Sequence, residues 1–295
     1  MIYVILVNYN NSDDSIECLT SLMTIVNTEM KVIVVDNHSV LEQCYILKSY
    51  IEQFSNIELI ENNKNSGFSG GCNTALKEVL QKENYDYIWL LNNDTIVTPE
   101  TLSPMIETIQ NNPLIGVCGS QILDYSDKNK VQSLGGTINP FFSTTKHITC
   151  ATKLTRLDYI VGASILINKN CIKSVGLLSE EYFLYYEDVD YSLRVKNEGF
   201  SLAVSLDSIV YHKEGAASNV SKGNYDQKHF IDLLQIQNRK VFARKFGFNK
   251  SGLYFGIVLA VLNRLRRGQY NQALKVFALI FKDFNWKKEQ LSTAS

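Results

Sequence analysis

Side chains able to hold a cation or move a proton stand at the ends of apolar runs in this chain. In Tyr85 to Thr98, YDYIWLLNNDTIVT, the run Tyr87 to Leu91 reads as a buried strand that stops at Asn92, Asn93 and Asp94. A carboxylate carried past the end of a rigid strand is placed to hold a cation, although Asn-Asn-Asp is equally ordinary turn chemistry. His212 ends a later apolar run, Leu202 to Tyr211. A lone histidine is more often structural than a ligand. One carboxylate, one imidazole, diphosphate oxygens and water would nevertheless suit Mg2+ or Mn2+.

Glu187, Asp188 and Asp190 crowd into YFLYYEDVDYSLRV. On a helix Glu187 and Asp190 share a face while Asp188 points elsewhere. Acids also suit the first turn of any helix for dipole reasons alone. The hydroxyls among Tyr182, Tyr185 and Tyr186 need partners, and aromatic faces beside carboxylates suit sugars. Asp36 follows the apolar run KVIVV. It either accepts a hydrogen bond from a base ring N–H or a ribose hydroxyl, or caps the next helix. NSGFSGGCN sets Gly67, Gly70 and Gly71 at a strand-to-helix turn, where backbone can approach an anionic ligand. The spacing is not GxGxxG and it follows the third strand, which argues against a dinucleotide-binding oxidoreductase.

The elements that must carry these groups alternate. Strands are predicted at Ile2 to Val7, Lys31 to Val35, Ile57 to Ile60 and Tyr87 to Leu91. Helices are predicted from Ser12, through Cys44 to Ile51, and from about Gly71 to Lys82. That rhythm means βαβ units and an α/β fold with a parallel sheet. Each early strand ends in polar residues, beginning with Asn8, Tyr9 and Asn10, so one rim of the sheet becomes a binding site. Pro99 is expected near the start of a further helix, Ile115 to Ser120 as a strand, and Tyr125 to Lys153 as a loop over the substrate site. After Gly215 strand alternation ceases and three helices are predicted, His229 to Phe246, Leu253 to Arg267 and Gln269 to Lys282.

Composition narrows the field. The 295 residues, 45% of them hydrophobic and only four proline, can bury a sizeable core. A formal charge of −1 gives no net pull toward nucleic acid, so no nucleic-acid partner is expected. Six scattered cysteines without a CxxC pair suit reduced thiols in a cytoplasmic protein. Met1 to Val7 lacks the basic flank of a signal peptide, and no apolar run approaches the ~20 residues of a membrane span.

In this order and at these separations, VNYN, VVDN, NSGFSGGCN, LLNND, YEDVDYSLR and YHKEGAAS resemble a glycosyltransferase of family 2 with the GT-A fold. Within it they are most similar to the bacterial rhamnosyltransferase-like branch. The resemblance spans about residues 2 to 215 and implies a Rossmann-like, mainly parallel sheet flanked by helices. It implies inverting, metal-dependent transfer from a nucleotide-sugar, with Mg2+ or Mn2+ as cofactor. The base-binding carboxylate then falls on Asp36 and the catalytic base on Asp188. The Asp-x-Asp metal site falls on Asn92 to Asp94, with only its last position acidic, and the late metal-binding histidine falls on His212. Donor contacts are expected from Asn8, Tyr9, Asn10, Asp36, Asn65, Gly67, Phe68, Gly70, Gly71, Asn73, Asn92 and Asn93. Sugar or acceptor contacts are expected from Ser164, Tyr186 and Glu187.

The implied donor is dTDP-rhamnose or another dTDP- or UDP-sugar such as one carrying galactofuranose. The implied acceptor is a saccharide or lipid-linked saccharide in surface polysaccharide (O-antigen) assembly. A non-catalytic nucleotide- or sugar-binding module is the rival reading, and it gives no reason for Asp94, Asp188 and His212 together. The expected division is a catalytic domain over 1–218 and a helical region over 219–295. In that region apolar positions from Leu253 to Phe284 stand beside Arg264, Arg266, Arg267, Lys275, Lys282, Lys287 and Lys288. Such helices dock on an anionic membrane, or pack on the catalytic domain or in a homo-oligomer.

Overall fold

The computed structural model describes residues 1–26, 28–213 and 225–284. Glu214 to Ser218 of YHKEGAAS, the expected boundary at 218, and Lys287 and Lys288 lie outside the described residues.

The first part of the chain alternates as its periodicity predicts. It runs β1 (Ile2–Asn8), α1 (Ser12–Leu22), β2 (Met30–Asp36), α2 (Leu41–Ile51), β3 (Ile57–Glu61), α3 (Gly67–Leu80) and β4 (Tyr87–Leu91). The four strands pair in parallel in the order β3-β2-β1-β4. Val4, Leu6, Val32, Val34, Trp89 and Leu91 pack with Leu19 and Leu22 of α1. Tyr3, Ile5, Ile33, Val35, Ile88 and Leu90 pack with Ala75, Leu76 and Val79 of α3. Successive residues of a strand point to opposite faces, so both faces are buried and the strands read as unbroken apolar runs.

Past β4 the sheet becomes mixed. β5 (Thr95–Val97), α4 (Leu102–Asn111), β6 (Ile115–Asp124), β7 (Val131–Ser133), β8 (Gly136–Asn139) and β9 (Thr144–His147) come next. β10 (Ser164–Asn168), α5 (Lys169–Val175), α6 (Glu187–Asn197) and β11 (Ser201–His212) complete the sheet region. β10 lies antiparallel between β4 and β6, β11 runs parallel to β6, and β5 closes the edge antiparallel to β11. The sheet is therefore parallel over its first four strands and mixed beyond them. Tyr125 to Lys153, expected as a loop, contains β7 paired with β6 and the hairpin β8–β9. Its strands are short and polar, so they carry little period-two signal. The helix expected from Pro99 starts later, at Leu102, after a turn in which Thr98 N donates to Thr101 Oγ1 at 2.8 Å.

Three helices follow, α7 (Tyr225–Lys245), α8 (Lys250–Arg266) and α9 (Tyr270–Ala278). Leu233, Ile236, Leu253, Ile257 and Val276 give them a core of their own. A second cluster joins Phe242 of α7 to Ile138, Tyr159, Tyr182 and Val189, so α7 is also built into the sheet region. Among the described residues no helix is long and apolar enough to cross a membrane.

Candidate active site

The rim begins where β1 and β2 end in register, Asn8 opposite Asp36. A buried chain of side-chain hydrogen bonds ties three strand ends together. Asn93 Nδ2 donates to Ser15 Oγ at 2.8 Å, Ser15 Oγ donates to Asn8 Oδ1 at 2.8 Å, and Asn8 Nδ2 donates to Asp36 Oδ1 at 2.8 Å. Asp36 also accepts from Ser39 Oγ at 2.6 Å and Ser39 N at 2.9 Å, which holds the turn into α2. Asn10, in the left-handed region at φ 51°, accepts from Val40 N and so braces the same turn. Tyr9 stands out beside it, 41% exposed. Ser15 and Ser39 have no signature in the sequence; only the fold reveals them.

The glycine segment forms the first turns of α3. α3 starts at Gly67, earlier than the expected Gly71. Gly67 has φ +73°, and a Cβ there would lie 2.2 Å from the Phe183 carbonyl oxygen, the atom that Phe68 N donates to at 2.9 Å. A Cβ at Gly71 would meet Val7, and one at Gly70 would meet Ser66. The chain's own packing thus already requires small residues at all three positions. Asn37 organises the segment: its Nδ2 donates to Asn65 Oδ1 and the Gly67 carbonyl, and its Oδ1 accepts from Asn62 and Ser66. Asn73, an expected donor contact, has hydrogen-bond partners within the fold. It lies on the second turn of α3, donates to Leu178 O and Glu180 Oε1, and accepts from Leu178 N.

β5, unseen in the sequence, brings Asp94 and His212 together. Thr95 pairs with His212 across β5 and β11. Asp94 Oδ1 lies 3.3 Å from His212 Nε2, with Asp94 only 1% exposed. Gln132 of β7 sets the ring. Its Nε2 donates to the His212 carbonyl at 2.9 Å, and a carbonyl can only accept. Its Oε1 is therefore the atom 3.0 Å from His212 Nδ1, so Nδ1 carries the proton. In the neutral ring Nε2 then turns a lone pair toward a carboxylate oxygen, an arrangement that a proton or a cation placed between them would favour. Two ligand atoms about 2.1 Å from a small divalent cation and at right angles lie about 3 Å apart, close to this spacing. The pair therefore fits one edge of an octahedral Mg2+ or Mn2+ site. Among the described residues no cluster of three or more His, Cys, Asp or Glu side chains is arranged for a metal.

Asp188 sits at the start of α6, half-buried. Its Oδ2 accepts from Gly162 N at 2.9 Å and its Oδ1 from Val189 N at 2.8 Å. The neighbouring Ala163 carbonyl accepts from Asn92 N, which ties this carboxylate to the LLNND turn. Burial raises the Asp188 pKa, against the lowering effect of those two N–H groups. Glu187 is 6% exposed, and its Oε2 has no hydrogen-bond partner among the described residues. Burial first, and the Asp188 charge second, push its pKa up to about 8. Near neutral pH Glu187 therefore holds its proton beside the Asp188 carboxyl, whose own affinity for a proton is also raised. Asp190 is fully buried and held by Arg194 Nε, Lys245 Nζ and the Tyr182 hydroxyl, which makes it structural.

Two of the expected sugar or acceptor contacts have partners within the protein. Ser164 is 1% exposed within the sheet, accepting from the Trp89 indole at 3.0 Å and lying 2.8 Å from Ser120 Oγ. It belongs to the core. The Tyr186 hydroxyl donates to the Ser143 carbonyl and its ring packs on Phe242, so it braces the loop before Asp188.

Comparison with known proteins settles the family. Residues 3–165 match the model of glycosyl transferase family 2. The chain belongs to that family. It is 24% identical over 207 residues to a low-salt glycan biosynthesis hexosyltransferase of Haloferax volcanii, covering 68% of this chain and 62% of that protein. It is 23% identical over 235 residues to the N-acetylglucosaminyl-diphospho-decaprenol L-rhamnosyltransferase of Mycobacterium tuberculosis, covering 71% and 75%. A mannosyltransferase from Pyrobaculum calidifontis, solved with GDP-Man and Mn2+, superposes with a TM-score of 0.59 at 13% identity, over 99% of this chain and 79% of that one. The family 2 chain thus has the GT-A fold that its motifs imply, with a C-terminal helical region added.

Proposed function

We propose that this family 2 chain is an inverting, metal-dependent hexosyltransferase. The donor is a nucleotide-sugar, with dTDP-rhamnose favoured and other dTDP- or UDP-sugars as the alternative. The acceptor is a saccharide or lipid-linked saccharide of surface polysaccharide assembly. The juxtaposition of Asp94 Oδ1 and His212 Nε2 at 3.3 Å carries the reading, because a nucleotide-binding module has no use for it. The rhamnosyltransferase among the relatives supports the choice of sugar.

A divalent cation held by Asp94 and His212 would supply charge neutralisation for a departing diphosphate. Such a leaving group needs no proton, so one base suffices where a glycosidase needs two carboxylates. Asp188 is that base: Gly162 and Val189 N–H groups aim it and favour its ionised form, while burial raises its affinity for a proton. One of its fixed oxygens receives the acceptor hydroxyl's proton as that hydroxyl oxygen attacks the anomeric carbon in line and the nucleoside diphosphate departs. The strand-end network around Asn8, Asp36 and Asn93 would orient the nucleoside.

The test is nucleoside diphosphate release from a panel of dTDP-, UDP- and GDP-sugars, with Mg2+, with Mn2+ and with chelator. Release from at least one dTDP- or UDP-sugar that chelator abolishes is expected. Failure with every donor in both metals, alongside intact nucleotide binding, would favour the non-catalytic module.

A further inference from the structure

α8 is apolar on both of its sides. Leu253 and Ile257 face inward and are buried, while Tyr254, Phe255, Val258, Leu259, Leu262 and Leu265 are 38% to 54% exposed. α9 repeats the pattern. Ala273 and Val276 are buried, whereas Tyr270, Leu274, Phe277 and, just past its end, Phe281 are 46% to 77% exposed. More than half of the large apolar side chains exposed among the described residues belong to this one short stretch. A surface helix ordinarily turns polar residues outward, so an outer face of this kind needs a cover.

The charges on the same stretch choose the cover. From Lys250 to Lys282 there is no Asp or Glu, against six basic residues. Arg264 is turned to Asp232, but Arg266, Arg267, Lys275 and Lys282 are exposed around the apolar face. A second copy docked by two-fold symmetry would bring basic rim against basic rim. An anionic bilayer accepts both components at once, the apolar side chains below the headgroups and the lysines and arginines among them. Neither helix crosses a membrane, so the pair would lie in its plane.

We propose that the outer face of α8 and α9 is a docking surface for anionic membrane lipid. The face continues onto the catalytic body, where Phe142 stacks on Phe255 with ring centroids 6.3 Å apart and Phe141 is 47% exposed. The next residue, Ser143, takes the Tyr186 hydroxyl beside Asp188. Docking would therefore set the transfer site next to the interface, where a lipid-linked acceptor is reached without leaving the bilayer. The surface rests on exposure and charge, independently of the donor reading.

The experiment sediments the full-length protein with phosphatidylcholine vesicles and with vesicles containing one-third phosphatidylglycerol. Wild type is expected to pellet with the anionic vesicles. A combined Leu262→Gln, Leu274→Gln, Phe277→Gln and Phe281→Gln variant, with all four sites exposed and its circular dichroism unchanged, should bind about tenfold less or weaker. Arg266→Glu with Arg267→Glu should lose the preference for anionic lipid. Equal pelleting of wild type and the combined variant, or no pelleting of wild type, overturns the proposal. So does a lipid-free dimer of wild type that the combined variant converts to monomer, because a second copy would then be the cover.

Discussion

Gln132 grips His212 at both ends, donating to its carbonyl at 2.9 Å and accepting from its Nδ1 at 3.0 Å. The two bonds fix both the ring orientation and the tautomer, and they leave Nε2 aimed at Asp94. A metal-binding histidine commonly has its other nitrogen held in this manner, and loss of the holder weakens the site. Gln132→Leu should therefore bind Mn2+ about tenfold or more weakly, measured by loss of the free Mn2+ resonance in the presence of dTDP or UDP. Unchanged affinity in the variant, with wild type binding, would remove Gln132 from this role. No binding in wild type would instead count against the metal site itself.

Asp188 is predicted to act on the acceptor and not on the donor. Asp188→Asn keeps the acceptor for Val189 N–H, folds, and binds nucleoside diphosphate as wild type does. Transfer should fall by ~10²-fold or more, because the amide cannot take the proton. Near-normal turnover would dismiss Asp188 as the base.

Glu187 predicts a dependence of stability on pH. Its folded pKa of about 8 lies above the ordinary carboxylate value, so the folded chain holds the proton more tightly than the unfolded one. The contribution is fully present below the unfolded pKa and is lost as pH rises through the folded pKa. Glu187→Gln mimics the protonated form at every pH. The variant should match wild type at about pH 4, then exceed it increasingly up to about pH 8, by at least about 1 kcal/mol. Denaturant melts at several pH values check this, and a constant difference across that range would refute it.

How much of this could be read from residues alone depended on which physical signal each part carries. The four parallel strands are buried on both faces, so their apolar runs are unambiguous, and their polar ends at Asn8, Asp36 and Asp94 were legible with them. β5 was not legible, because three residues, Thr95 to Val97, are too few for a period. Yet β5 is what sets His212 beside Asp94. Gln132 was hidden for a related reason, since its polar strand reads as loop. The glycines were visible, but sequence shows only that small residues are wanted, whereas packing shows that Phe183, Ser66 and Val7 are among what they accommodate. Ser164 was equally opaque, because a serine bonded to a buried indole looks the same in sequence as one facing a ligand.

The C-terminal helices should also be needed for catalysis through Asn238. Tyr185 and Tyr186 precede Asp188 in the chain with φ of 70° and 73°, two successive left-handed conformations that side-chain-bearing residues seldom adopt. Asn238 of α7, fully buried, donates its one amide nitrogen to the Leu184 carbonyl at 2.8 Å and the Tyr185 carbonyl at 2.9 Å. Asn238→Asp keeps the shape but replaces both donors with a carboxylate oxygen facing two carbonyls. The strained turn should then relax and Asp188 lose its aim. Turnover is expected to drop by about tenfold or more while nucleoside diphosphate affinity at the strand-end rim is unchanged. Because a merely structural defect would lower both together, equal losses in turnover and nucleotide affinity would show that Asn238 stabilises the fold without positioning the base.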